Sequence, residues 1–104
     1  MRAIIDGKRY DTETATLVAG IDGAGCSRSD FRWEDTGIYV TKNDNWFLAG
    51  EGGPRTRWAR SVGDGTSGGS GLRPISPSTA RKLLEGLGQS EALETYFGSE
   101  IEDA

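Results

Sequence analysis

Ile38-Tyr39-Val40-Thr41-Lys42-Asn43-Asp44-Asn45-Trp46-Phe47-Leu48-Ala49 reads as one β-hairpin. Two runs of β-branched and aromatic residues flank a polar tetrapeptide, the usual signature of two strands and their turn. The turn suits type I geometry followed by a left-handed residue, a role Asn45 tolerates better than most non-glycine residues. Gly50-Glu51-Gly52-Gly53-Pro54 breaks the second strand, and Arg55-Thr56-Arg57-Trp58 follows. Scaffold and a possible contact surface thus sit side by side.

Towards the N-terminus, residues 31–41 predict an extended run interrupted at Glu34-Asp35-Thr36-Gly37 by a turn or bulge. Residues 2–11 predict a short hairpin around Asp6-Gly7, a strong two-residue turn signal. Asp11 then looks like the N-cap of a short helix. Ala15, Leu17, Val18 and Ala19 would be its apolar side, and Gly20 would end it.

Towards the C-terminus, residues 57–62 predict another strand, with Trp58 and Arg60 on one face. Residues 63–71 are nearly all Gly, Ser, Asp and Thr and predict a flexible loop. Leu72 to Ile75 predicts a last strand, placed at a sheet edge because of Pro74. Ser76 is a suitable N-cap with Pro77 at the first helical position. Ala80, Leu83, Leu84 and Leu87 recur on one helical face, and Gly86 and Gly88 stop the helix. Ser90 would cap a second helix carrying Leu93, Tyr96 and Phe97, closed by Gly98. The expected fold is α+β: a small, mostly antiparallel sheet, a short helix near the N-terminus and two C-terminal helices. Residues 1–98 form a single domain, and residues 99–104 an acidic tail.

With 104 residues the chain can bury one modest core. Sixteen glycines favour a β-containing domain over a helical bundle. Cys26 is the only cysteine, so no disulfide can close within the chain. The first residues contain no apolar signal-peptide core, and no apolar run approaches the ~20 residues of a membrane span. The expectation is a cytoplasmic protein without membrane contact. Histidine is absent, which removes the commonest general base and metal ligand. With one Cys and no His, no zinc site of the usual kind can be assembled from one chain, and no cofactor is expected. Cys26 lacks the base that would activate a nucleophile. The residues therefore point to binding rather than catalysis.

The formal net charge is −4, distributed unevenly. Residues 53–82 carry Arg55, Arg57, Arg60, Arg73, Arg81 and Lys82 against Asp64 alone. Residues 83–104 carry Glu85, Glu91, Glu94, Glu100, Glu102 and Asp103 and no basic residue. Such asymmetry speaks to partners and association rates.

Several stretches together resemble a known group. They are Gly7-Lys8-Arg9-Tyr10-Asp11-Thr12-Glu13-Thr14-Ala15, the tract from Tyr39 to Arg57, Glu91-Ala92-Leu93-Glu94-Thr95-Tyr96-Phe97, and the terminal Glu102-Asp103-Ala104. The chain resembles short bacterial proteins carried on prophages and other mobile elements. The resemblance implies a shared fold and brings no catalytic residue with it. Small mobile-element proteins often counter host defence, as anti-CRISPR proteins do, which makes inhibition of a host nucleoprotein complex the leading expectation by analogy of context.

Two surfaces could carry a function. In the first, the acidic end (Glu85, Glu91, Glu94, Glu100, Glu102, Asp103) mimics a phosphate backbone and occupies a basic groove on a host protein. The competing reading is a solvated helix face and a loose tail. In the second, Arg55, Arg57, Trp58 and Arg60, with Arg73, Arg81 and Lys82 nearby, grip phosphates and stack a base, as in a nucleic-acid-binding regulator. The competing reading makes Trp58 core and lets the arginines face solvent or pair with the acidic end. Residues 63–71 lack the Lys-Ser/Thr of a phosphate-binding loop, since Leu72-Arg73-Pro74 follows.

Overall fold

The computed structural model describes residues 1–22, 33–63 and 65–104; Cys26 lies outside them. Its centre is a four-stranded antiparallel sheet in the order β3-β4-β5-β8. The strands are β3 (Thr16–Asp22), β4 (Glu34–Val40), β5 (Trp46–Gly52) and β8 (Gly69–Ile75). Two small ribbons accompany it: β1 (Arg2–Ile5) with β2 (Lys8–Asp11), and β6 (Arg60–Val62) with β7 (Gly65–Ser67). Helices α1 (Pro77–Gly86) and α2 (Ser90–Phe97) follow, then a 3₁₀ turn at Gly98–Glu100.

The β4–β5 hairpin forms where expected, pairing Ile38 with Leu48, Tyr39 with Phe47 and Val40 with Trp46. Its turn is closed by Asp44 N–H donating to the Thr41 carbonyl at 3.0 Å. Asp44, not Asn45, takes the left-handed conformation, with φ 62°. That position directly follows the type I turn, and Asn45 already belongs to the closing pair with Thr41.

Alternation along β5 decides the layering. Trp46 and Leu48 point to one face, Phe47 and Ala49 to the other. All four are buried, so both faces are covered. On one side Trp46, Leu48, Ile38, Val40 and Ala19 pack with Trp58 and with Ala80, Leu84 and Phe97 from the helices. Trp46 stacks on Phe97 at 5.3 Å and meets Tyr96 edge-on at 5.2 Å. On the other side Phe47 and Ala49 pack with Tyr10 of the β1–β2 ribbon, with Ile5, Tyr39 and Leu72 around them. The molecule is helices, sheet and ribbon in three layers.

Local signals hold where partners are near in sequence. Asp6 (φ 51°) and Gly7 (φ 76°) form the predicted tight turn. The Ser76 side chain caps α1 by accepting from Thr79 N–H at 3.1 Å, with Pro77 opening the helix. Gly88 (φ 69°) ends it. In α2 the cap position is held by Gln89, and Ser90 is already helical. Pro74 sits on β8, an edge strand as expected.

Several expectations are corrected. No helix forms near the N-terminus. Asp11 does accept from Glu13 N–H at 2.9 Å, but the resulting turn lasts only to Ala15. The chain from Thr16 then extends as β3, because its residues pair with β4 over a bulge between Leu17 and Ala19. Residues 34–37 are continuous strand paired with β5, not a turn. The extended run at 57–62 is strand only from Arg60, and Trp58 lies on a turn. The glycine-rich stretch 63–71 holds β7 and the start of β8. Gly69 and Gly71 reflect close approach: a Cβ at Gly69 would lie 2.6 Å from the Trp58 carbonyl oxygen, and one at Gly71 would lie 3.2 Å from the indole. The 3₁₀ turn also takes Ser99 and Glu100 out of the tail, leaving 101–104 exposed and without regular structure.

Candidate functional site

Trp58 is buried at 6% exposure, and its indole N–H donates to Thr36 Oγ1 at 2.8 Å. Thr36 Oγ1 donates onward to Glu34 Oε2 at 3.0 Å. The Arg57 guanidinium grips the same carboxylate, through Nε at 3.0 Å and Nη2 at 3.4 Å. Arg73 Nη2 donates to the Arg57 carbonyl at 3.0 Å while its guanidinium lies 5.5 Å over the Trp58 ring. Arg60 Nη2 donates to the Ser70 carbonyl at 3.2 Å. These arginines strap residues 53–60 to the sheet, with Trp58 as the anchor.

The consequence for the basic candidate is direct. An indole this deeply buried presents no face for a base to stack on. Arg57, Arg60 and Arg73 already have partners, and Arg55 is left as an exposed cation. Arg57 pairs with Glu34 of β4, not with the acidic end. Arg81 does meet that end: its Nη1 lies 3.4 Å from Glu100 Oε1.

The acidic candidate is assembled by four separate segments. Glu85 comes from α1, Glu94 from α2, Glu100 from the 3₁₀ turn and Glu102 from the tail. All four line one shallow depression of about 450 Å³, together with Arg81, Ser90, Leu93 and Ile101. Helix spacing explains part of this. Arg81 and Glu85 are four residues apart on α1, and Ser90, Leu93 and Glu94 share one side of α2. The 3₁₀ turn then carries the chain back across Arg81. Glu91 and Asp103 are exposed but do not line the depression. The floor is partly apolar: Leu93 is half-buried and Ile101 is 46% exposed.

Sequence reasoning placed Arg81 in the basic patch. Its spacing to Glu85 was the available signal that it belongs with the acids. Glu34 and Thr36 gave no such sign, since their partners lie more than twenty residues away. Among the described residues, no group of three or more His, Cys, Asp or Glu is placed to hold a metal ion. No helix among them is long and apolar enough to cross a membrane. Comparisons with protein families, curated proteins and solved structures found no match.

Proposed function

We propose that this chain is a small cytoplasmic, mobile-element-encoded inhibitor of a host defence nucleoprotein complex of the CRISPR–Cas type, acting by stoichiometric binding. The observation that carries this reading is the convergence of Glu85, Glu94, Glu100 and Glu102 on one exposed depression. Carboxylates spaced along a helical surface offer a basic groove the anionic partner it normally finds in a phosphate backbone. Leu93 and Ile101 give the aliphatic stem of an entering Lys or Arg an apolar seat. Arg81 holds Glu100 in place and offsets part of the charge.

Long-range attraction between this face and a Lys- and Arg-lined channel would speed association and make it sensitive to salt. The inhibitor needs no reaction of its own, since occupying the channel excludes nucleic acid. The reading is tested by affinity capture from phage-infected host extract, with mass spectrometry of the bound proteins. Recovery of a defence effector complex with wild type, and its loss with Glu85→Lys/Glu94→Lys/Glu102→Lys, is expected. Equal recovery by both proteins would contradict the acidic face as the contact.

A further inference from the structure

The four carboxylates of the helix-side depression are not equivalent. Glu100 is paired with Arg81 at 3.4 Å. Glu85, Glu94 and Glu102 are exposed and have no cationic partner among the described residues. Arg81 is the one basic side chain among the described residues that lines the depression; Lys82, next to it on α1, does not. Four carboxylates less one guanidinium leave three negative charges there, on a chain of net charge −4. The unpaired three are spread out, since Glu85 lies near the end of α1, Glu94 within α2 and Glu102 in the tail. Among the described residues no three carboxylates are grouped to hold a metal ion. The charge therefore suits several spaced cations rather than one compact ion. Leu93, half-buried, and Ile101, 46% exposed, sit among these carboxylates. Apolar surface in that position favours a ligand that brings an apolar group along with its cations.

Resting on the acidic face as the contact surface, we propose that the depression receives a short linear segment of the partner protein, with about three arginines or lysines around one apolar side chain. Arg81 shows the geometry: its guanidinium, one third exposed, reaches from α1 to Glu100 on the 3₁₀ turn. The entering cations pair with Glu85, Glu94 and Glu102, and the apolar side chain settles against Leu93 and Ile101. A volume of about 450 Å³ is in the range of sites for small ligands, so it admits a few side chains and not a folded domain. A flat basic wall would meet only the rim, whereas a projecting segment reaches the floor as well. A polyamine would satisfy the charges and leave the apolar seat empty.

The test is calorimetric titration of the full chain with a short synthetic peptide that carries arginines on both sides of one leucine. Binding that weakens with salt is expected. Replacing the peptide's arginines by glutamine should lose at least about tenfold in affinity, and replacing its leucine by serine about threefold to tenfold. On the protein, Glu85→Gln/Glu94→Gln/Glu102→Gln should lose at least about tenfold, and Ile101→Ser should repeat the loss seen with the serine peptide. Glu91→Gln/Asp103→Asn removes charge outside the depression and should stay within about threefold of wild type. All these side chains are exposed, and thermal melting shows that each variant keeps its fold. No binding at low salt, equal binding of the glutamine or serine peptide, equal loss in Glu91→Gln/Asp103→Asn, or displacement by spermine as readily as by the peptide would overturn the proposal. Failure here and failure of the acidic-face reading are distinguishable. If charge reversal abolishes capture of the host complex but the peptide does not bind, the linear segment alone is wrong. If the peptide binds through the depression but capture ignores charge reversal, the depression keeps its ligand class and the host contact is wrong.

Discussion

Thr36 is the polar side chain on which the helix-side core turns. It is 1% exposed, accepts the Trp58 indole N–H and donates to Glu34. Thr36→Val keeps the shape but leaves the buried N–H without an acceptor, so urea denaturation should show a loss of about 1–3 kcal/mol. Once Thr36 is valine, Trp58→Phe should cost less than it does in wild type, because the two residues share one hydrogen bond. Glycines give a second contrast at this scale. A Cβ at Gly50 would run into the Asp35 carbonyl, whereas one at Gly86 meets nothing. Gly50→Ala should therefore be strongly destabilising. Gly86→Ala, at the end of α1, should raise stability by up to about 1 kcal/mol in the same urea measurement.

At the scale of elements, the strap of residues 53–60 is the device that joins hairpin to edge strand. The Arg57–Glu34 pair is partly exposed, at 27% and 14%, so screening limits its worth. Arg57→Ala should cost about 1 kcal/mol in global stability. Its clearer effect is local: amide exchange should quicken at Thr56 and Ala59, whose N–H groups close the strap's turns. Elements like α1 were legible in the sequence because Ser76, Pro77 and the Ala80-Leu83-Leu84 face are all local signals. The β1–β2 and β4–β5 hairpins were legible for the same reason. β3 was not, because the Asp11 cap signal is real but local, and pairing with β4 overrides it beyond one turn. Of the strand at 69–75, Leu72 to Ile75 was legible but Gly69 to Gly71 was not, because Gly69 and Gly71 record the approach of Trp58 from eleven or more residues away. The acidic candidate was legible as a list of residues. Its division into four that converge and two that do not depended on how the 3₁₀ turn folds back over α1.

At the scale of the whole molecule, the acidic excess lies on the helix side of the sheet, while the ribbon mixes Arg2, Lys8 and Arg9 with Asp6 and Asp11. Helices with the convergent carboxylates lie on one side of the sheet, and the ribbon with Arg2, Lys8 and Arg9 lies on the other. A partner with a basic groove would be met helix-first, and the net charge of −4 favours that approach. Raising salt from 50 to 300 mM should slow association with such a partner far more than it speeds dissociation, as stopped-flow measurement would show. The most direct measurement is plasmid interference in a host with an active CRISPR–Cas system, with the chain or its Glu85→Lys/Glu94→Lys/Glu100→Lys/Glu102→Lys variant expressed to equal levels. Inhibition through the acidic face requires that wild type restore plasmid survival and that the charge-reversed chain fail to do so. Equal restoration by both, with the variant shown to be folded, would contradict it.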